Sequence, residues 1–218
     1  MTGRFRRDRG AALVMVIMAL ALMTSLSAAL LLSATSEVLM AANFTSQRAA
    51  LYAADAILER AMIDVAAAPD WSTLITGTTP ASFVDGPASG GRTLADGTIV
   101  DLGETLNMAG CHKRSACTDT ELDAVTADRP WGASNPRWQL YAYGHLHDLL
   151  PDVPNAVWYG VAMVAANPGG LDDVITIRAE AYGPRHAHAV VEAVFARDGR
   201  DSDYNDGTPR LISWREVR

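Results

Sequence analysis

The stretch RFRRDRGAALVMVIMALALMTSLSAALLL, residues 4–32, joins a cluster of arginines to a long uncharged run. No charged residue follows Arg9 until Glu37, and the apolar run from Ala11 to Leu32 is 22 residues long. A helix that crosses the hydrocarbon core of a bilayer needs about 20 apolar residues. The apolar core of a secretory signal peptide has only about 7–15. The length therefore predicts a membrane-spanning helix that the working protein keeps.

The charges on either side of this segment predict its orientation. Residues 1–10 have a net charge of +3, while residues 11–218 carry 14 basic and 24 acidic side chains, a net charge of −10. Arginines before a span favour the cytoplasm for that end. We therefore expect a single-pass membrane protein whose body after residue 68 is periplasmic or extracytoplasmic. An acidic body argues against nucleic acid as a partner, because phosphate binding needs clustered lysine and arginine.

The helical pattern continues beyond the span. Neither proline nor glycine occurs between the span and Pro69, where the helix is expected to end. Arg60 and Asp64 have the i,i+4 spacing of a helical ion pair. An apolar stripe is predicted at a seven-residue spacing, with two methionines beside it: Phe44, Leu51, Leu58 and Val65, then Met40 and Met62. We predict one helix over residues 11–68, transmembrane first and amphipathic afterwards.

The remaining residues, 69–218, have the pattern of a β-rich head. The Asp96–Gly97 dipeptide between two short apolar runs predicts a tight hairpin, and YGPR at 182–185 predicts another turn. Five segments are strand-like: 137–146, 156–166, 173–183, 186–197 and 209–217. Short connections predict an antiparallel sheet with one solvated face, the helix covering the other. The acidic stretch TDTELDAVTADRPWG, residues 118–132, is predicted to be a surface loop with one helical turn. The predicted fold class is α+β, a long N-terminal helix packed on an antiparallel sheet.

Two cysteines, Cys111 and Cys117, lie in the stretch CHKRSAC. Five residues separate them, which is not the CxxC spacing of redox or zinc sites. In a periplasmic head, a disulfide that closes a short loop is predicted. Two free thiols, or metal ligands with His112 as a neighbour, are the alternatives.

The basic leader that ends in Gly10, with the apolar run after it, resembles a type IV prepilin. RGAALVMVIMAL (9–20) and AANFTSQRAALYAADAILERAM (41–62) are similar to the N-terminal region of PilX-type minor pilins. The resemblance implies a pilin-like fold and cleavage by prepilin peptidase between Gly10 and Ala11, with methylation of Ala11. It divides the chain into a leader, a spine helix and an extracytoplasmic head: 1–10, 11–68 and 69–218. Major pilins carry glutamate at the fifth mature position, where this chain has Met15, so the resemblance favours a minor subunit.

The same resemblance implies assembly without catalysis or a cofactor. Its partners would be other pilins through the N-terminal helix, the prepilin peptidase and the inner-membrane pilus assembly machinery. The protein would pass from the inner membrane into a pilus at the cell surface, and would act in pilus initiation, adhesion or aggregation. Alternatives are a type II secretion pseudopilin and a single-span, signal-anchored binding or sensor protein. A third is a membrane-anchored hydrolase that uses Asp119, Glu121, Asp123 and Asp128.

Four histidines form two pairs with i,i+2 spacing, His145 with His147 and His186 with His188. On a strand, this spacing places both rings on one face, which suits chelation of a metal. No carboxylate motif accompanies either pair. Surface or strand-end positions without metal are therefore favoured.

A calcium loop is suggested by Asp201, Asp203 and Asn205, which follow the pattern D-x-D-x-N. The glycine comes one position late, and the bidentate glutamate is missing. These residues are weak candidate metal ligands, and a solvated turn is favoured. Three tryptophans are expected in the core and not on an adhesive surface: Trp131, Trp138 and Trp158.

Overall fold

The computed structural model describes residues 8–77, 81, 83–127, 137–149, 157–166, 174–197 and 209–217. The fold is α+β, with a long N-terminal helix and a five-stranded antiparallel sheet. The chain divides into two compact units, Met1–Ser46 and Gln47–Arg218. Helix α1, Asp8–Ala67, contributes to both units.

The first unit contains the apolar part of α1. Every residue from 11 to 41 is exposed, and an 18-residue window of the helix has a mean hydropathy of 2.4 with none of it buried. Three hydroxyl groups inside the run donate to carbonyls of the preceding turn at 2.8–2.9 Å: Thr24, Ser25 and Ser27. The helix is long and apolar enough to cross a membrane.

The C-terminal end of α1 is closed by several contacts. The helix ends at Ala67, one residue before the predicted end and two residues before Pro69. The Arg197 guanidinium donates to the carbonyls of Ala68 and Pro69 at 2.7 and 3.2 Å, and it lies 4.5 Å from the ring centroid of Trp71. A cation here satisfies carbonyl groups that the helix leaves without partners. The short helix α2, Trp71–Ile75, follows.

The sheet consists of five strands in chain order, each antiparallel to the next. Their bounds are β3 Gln139–His145, β4 Tyr159–Ala166, β5 Val174–Tyr182, β6 His188–Arg197 and β7 Pro209–Val217. The five predicted strands are thus confirmed. The predicted turn between β5 and β6 is confirmed as well, and Arg185 and His186 in it have φ angles of 58° and 59°.

One face of the sheet packs against the second half of α1, as predicted. The buried helix positions are Ala50, Ala53, Ala54, Ile57, Leu58, Ala61 and Val65. From the sheet, Ile175, Ile177, Ala179 and Phe195 enter the same core. The predicted stripe was wrong at its start, because Met40 and Phe44 are 66% and 61% exposed. The buried positions of α1 are spaced by three or four residues, as on one face of a helix, and the first of them is Ala50.

The second face of the sheet is also covered, so the prediction of a solvated face was wrong. A second core joins β3 and β4 to the elements before them: Leu94, Val100, Leu102, Ala109, Trp138, Tyr143, Tyr159, Val161, Met163 and Ala165. The hairpin at Asp96–Gly97 is confirmed as strands β1 Gly91–Thr93 and β2 Ile99–Asp101.

Two helices follow β2, α3 Leu102–Cys111 and α4 Asp119–Ala127. The acidic stretch, predicted as a surface loop with one helical turn, contains the nine-residue helix α4. The Asp101 carboxylate caps α3 by accepting a hydrogen bond from the Glu104 N–H at 2.9 Å. Leu106 and Ala109, four and seven residues after Leu102, lie on the same face of α3 and pack in the second core. A four-residue helix, α5 Leu146–Leu149, follows β3.

Candidate functional site

The predicted processing site lies at the beginning of α1. Gly10 and Ala11 both belong to the helix, and Ala11 is exposed. Met15, which the resemblance aligns with the glutamate of major pilins, is 71% exposed. Cleavage between Gly10 and Ala11 stays a prediction.

Exposed large apolar side chains of α1 continue beyond the 22-residue apolar run, on the far side of the mostly polar stretch 33–37. From Ala11 to Phe44 the helix has 34 residues, about 51 Å at 1.5 Å per residue, whereas a hydrocarbon core is about 30 Å thick. Large apolar side chains beyond a bilayer length are 61–68% exposed: Val38, Leu39, Met40 and Phe44. Exposed apolar surfaces of this size are typical of sites that contact a membrane or another protein.

The two cysteines form the predicted disulfide, with their Cα atoms 6.0 Å apart. The alternatives of free thiols and metal ligation are therefore wrong. The bridge joins the last residue of α3 to the segment before α4. Gly110 lies beneath α4, where a Cβ atom would come within 3.0 Å of Leu122. The ammonium group of Lys113 pairs with Glu121 across the same loop.

A row of charged side chains crosses the second face of the sheet. Arg178 on β5 donates to Glu180 at 2.7 Å and to Glu192 on β6 at 2.8 Å. Arg215 on β7 donates to the other oxygen of Glu192 at 2.9 Å. His188 Nε2 lies 3.0 Å from Glu180. Signs alternate along the row, so each buried carboxylate contacts a cation, which offsets its desolvation.

The centre of this row is buried and its ends are not. Glu180 and Glu192 are 3% and 4% exposed, while the side chains of His188 and Arg215 are 41% and 49% exposed. Burial alone would raise the pKa of Glu180. The hydrogen bond with His188 and the attraction of Arg178 outweigh burial, so the pKa of Glu180 lies below its usual 4.5.

Tyr182 connects the charged row to α3. Its hydroxyl donates to Glu180 at 2.7 Å and lies 3.1 Å from the Thr105 hydroxyl. Burial, and then the nearby Glu180 carboxylate, raise the pKa of Tyr182. The His188 ring stacks on Tyr182, with 4.4 Å between centroids. The arrangement keeps Tyr182 as a neutral donor that joins α3 to the sheet.

The histidine pairs are not brought together. His145 ends β3 and His188 begins β6, with two strands between them. His145 and His147 stack with centroids 5.3 Å apart, and His186 lies in the β5–β6 turn. Among the residues that the structure describes, no group of three or more histidine, cysteine, aspartate or glutamate side chains could hold a metal ion.

The acidic stretch of the hydrolase alternative forms exposed α4. Arg137 pairs with Asp119 and lies 3.9 Å from Asp123, and Glu121 pairs with Lys113. Asp128 lies outside the described residues, as do the calcium-loop candidates Asp201, Asp203 and Asn205. The described acids of this stretch are thus surface ion pairs, not a buried carboxylate dyad.

The tryptophans divide between core and surface. Trp138 is buried and Trp158 packs against the α1-side core, while Trp131 lies outside the described residues. Trp214, which the sequence patterns did not single out, is 45% exposed on β7. Its indole N–H donates to Asp55 of α1 at 3.2 Å.

A cavity of about 210 Å³ lies at the tip of the β1–β2 hairpin. Its lining comes from Leu94, Ala95, Asp96, Val157 and Pro184. Ligand pockets usually have volumes of about 300–1,000 Å³, so this cavity is smaller than a usual substrate site.

Comparisons with known proteins give no match among family models, curated proteins or solved structures.

Proposed function

We propose that the protein is a minor pilin of the PilX type, which takes part in type IV pilus assembly without catalysing a reaction. The observation that carries the proposal is the exposed apolar run of α1 from Ala11 to Leu32, with further exposed large apolar side chains beyond Glu37 as far as Phe44. Neighbouring apolar helices of other subunits would cover such a surface after the helix leaves the membrane.

Three further features support the proposal. A basic leader ends in Gly10 immediately before the apolar run, and the second half of α1 packs on an antiparallel sheet. The apolar run also contains no acidic residue. A carboxylate in lipid is costly and is kept for a function, so its absence fits a subunit that does not use an acid of its own for docking.

The experiment that tests the proposal is expression of the full chain with and without a prepilin peptidase. Cleavage should remove ten residues and leave Ala11 at the terminus, as read by N-terminal sequencing. Gly10→Val should block the cleavage, whereas Gly3→Val, the matched control in the leader, should not. A chain that stays uncut, or a Gly10→Val chain cut like the parent, would contradict the proposal.

A further inference from the structure

Strand β7 is the last strand of the sheet order, and the described residues place no strand on its outer edge. The β3 edge is covered by an extended segment of the chain, since the Tyr143 N–H donates to Phe83 and the Asp85 N–H donates to Tyr143, both at 3.2 Å. Within the described part of the chain, no strand or bridge lies on the outer side of β7. Both ends of this nine-residue strand are half-buried and the seven residues between them are exposed. An open edge of this length can pair with the main chain of another protein.

The face of β7 towards α1 carries large apolar side chains. Leu211 and Trp214 are opposite Phe195 and Ala193 of β6, and both of these β6 residues belong to the α1-side core. Yet Leu211 is 55% exposed and Trp214 is 45% exposed. The apolar face thus continues from the core to the open edge, where a further strand could bury it.

Two acidic side chains of α1 lie beside Trp214 of this strand. Asp55, the acceptor for Trp214, and Glu59 lie one turn apart on α1. Neither forms an ion pair with a cation of the described residues. Burial raises the pKa of Asp55, Glu59 raises it further, and the Trp214 hydrogen bond opposes both effects only in part. A positive charge brought to this position would therefore be stabilised, and another negative charge would be repelled.

We propose that β7 and the adjacent turn of α1 bind an added β-strand of a partner protein, which places an apolar and a basic side chain against Trp214 and Asp55. Main-chain hydrogen bonds to β7 supply the pairing, and the acidic pair on α1 selects the basic side chain. The proposed partner is the head of another pilus subunit. Only this choice of partner rests on the proposed function.

The test uses the full chain in detergent micelles and a fluorescent, end-blocked heptapeptide that alternates valine and lysine. Matched peptides replace lysine with glutamate, or N-methylate the backbone along one edge. Fluorescence anisotropy should show binding of the lysine peptide, binding at least tenfold weaker for the glutamate peptide, and none for the N-methylated peptide. A tenfold difference is about 1.4 kcal/mol, within the range of interfacial charge effects.

Variants then locate the site. The double variant Asp55→Asn with Glu59→Gln should weaken binding of the lysine peptide about tenfold. Glu104→Gln, which removes an exposed acid on α3, is the matched control and should not weaken it. Trp214→Ala should also weaken binding, with circular dichroism to verify that the sheet is retained.

Three results would overturn the proposal. One is equal affinity for the lysine and glutamate peptides, and another is no binding of either. The third is concentration-dependent dimerisation of the purified chain that Trp214→Ala abolishes, which would assign the edge to a second copy. The peptidase experiment is independent of all three, so strand binding can fail while the proposed function stands.

Discussion

Arg178 on β5 donates to Glu192 on β6 across 2.8 Å, and the two residues are only 9% and 4% exposed. Arg178 also donates to Glu180, and Glu192 accepts from Arg215, so the pair is the centre of the charged row on the second face. Each buried charge in the row is stabilised by an opposite charge in place of water. Removing one member should therefore lower the free energy of unfolding far more than removing one member of an exposed ion pair.

Replacing Arg178 with methionine should destabilise the head severely. The change leaves two buried carboxylates without their shared cation, and breaking a buried ion pair costs about 3–5 kcal/mol. Urea unfolding of the full chain in detergent, followed by tryptophan fluorescence, measures the loss. Arg185→Met, in the exposed β5–β6 turn, is the matched control and should change the free energy of unfolding by less than about 0.5 kcal/mol. Equal effects of the two substitutions would contradict the role given to the row.

Acid should weaken the head through Glu180. Its pKa is lowered in the folded protein, so its contribution to stability is present above its usual pKa of 4.5 and is lost as the pH falls through the lower, folded value. Unfolding free energies measured from pH 7 to pH 3 should fall less steeply for Glu180→Gln than for the parent. Glu104→Gln should follow the parent curve. Parallel curves for Glu180→Gln and the parent would show that another group controls the acid response.

Removal of the Cys111–Cys117 bridge should cost about 2 kcal/mol, the entropy expected for closing a loop of this size. The variant Cys111→Ser with Cys117→Ser and the reduced parent should have the same urea midpoint of unfolding. The oxidised parent should have a higher midpoint. Mass measurement without reductant should find the oxidised parent two hydrogens lighter than the dithiol. If reduction leaves the unfolding midpoint of the parent unchanged, the bridge does not stabilise α3.

Gly183→Ala should destabilise the β5–β6 turn because of its neighbour Trp158. An added Cβ would lie 2.2 Å from the indole ring, and overpacking of this kind costs about 1–3 kcal/mol. Trp158→Ala alone should also destabilise, by loss of packing. In the double variant the two costs should be clearly less than additive, because the smaller side chain removes the overlap. Strict additivity of the unfolding free energies would rule out the contact as the cause.

The sequence was sufficient for the features that local patterns control. The apolar run, the helix end at Pro69, the five strands and two hairpin turns all follow from spacing and turn residues. The Arg60–Asp64 pair is likewise present at 3.2 Å. The disulfide could be predicted from the location expected for the head.

The covering of the second face could not be predicted from the same patterns. The alternation of Thr176, Arg178, Glu180 and Tyr182 resembles a solvated strand face, because charged residues are usually exposed. Only tertiary structure brings Arg178 and Glu192 together and places α3 above Tyr182. The capping residue Asp101 before Leu102 is a local signal that could have indicated α3. The exposure of Phe44 depends on where the head begins, which heptad spacing does not specify.

Trp214 and Arg215 hold β7 from opposite faces of the sheet, the indole through Asp55 and the guanidinium through Glu192. Successive residues of a strand alternate in direction, so a slip of β7 by one residue would exchange the two side chains between faces. The Arg215 guanidinium would then lie on the apolar face towards α1. The Trp214 indole would take its place beside Glu192, which would lose its ion pair with Arg215. The register of β7 is therefore specified by two neighbouring residues, since a shift by one residue would break both the hydrogen bond of Trp214 and the ion pair of Arg215.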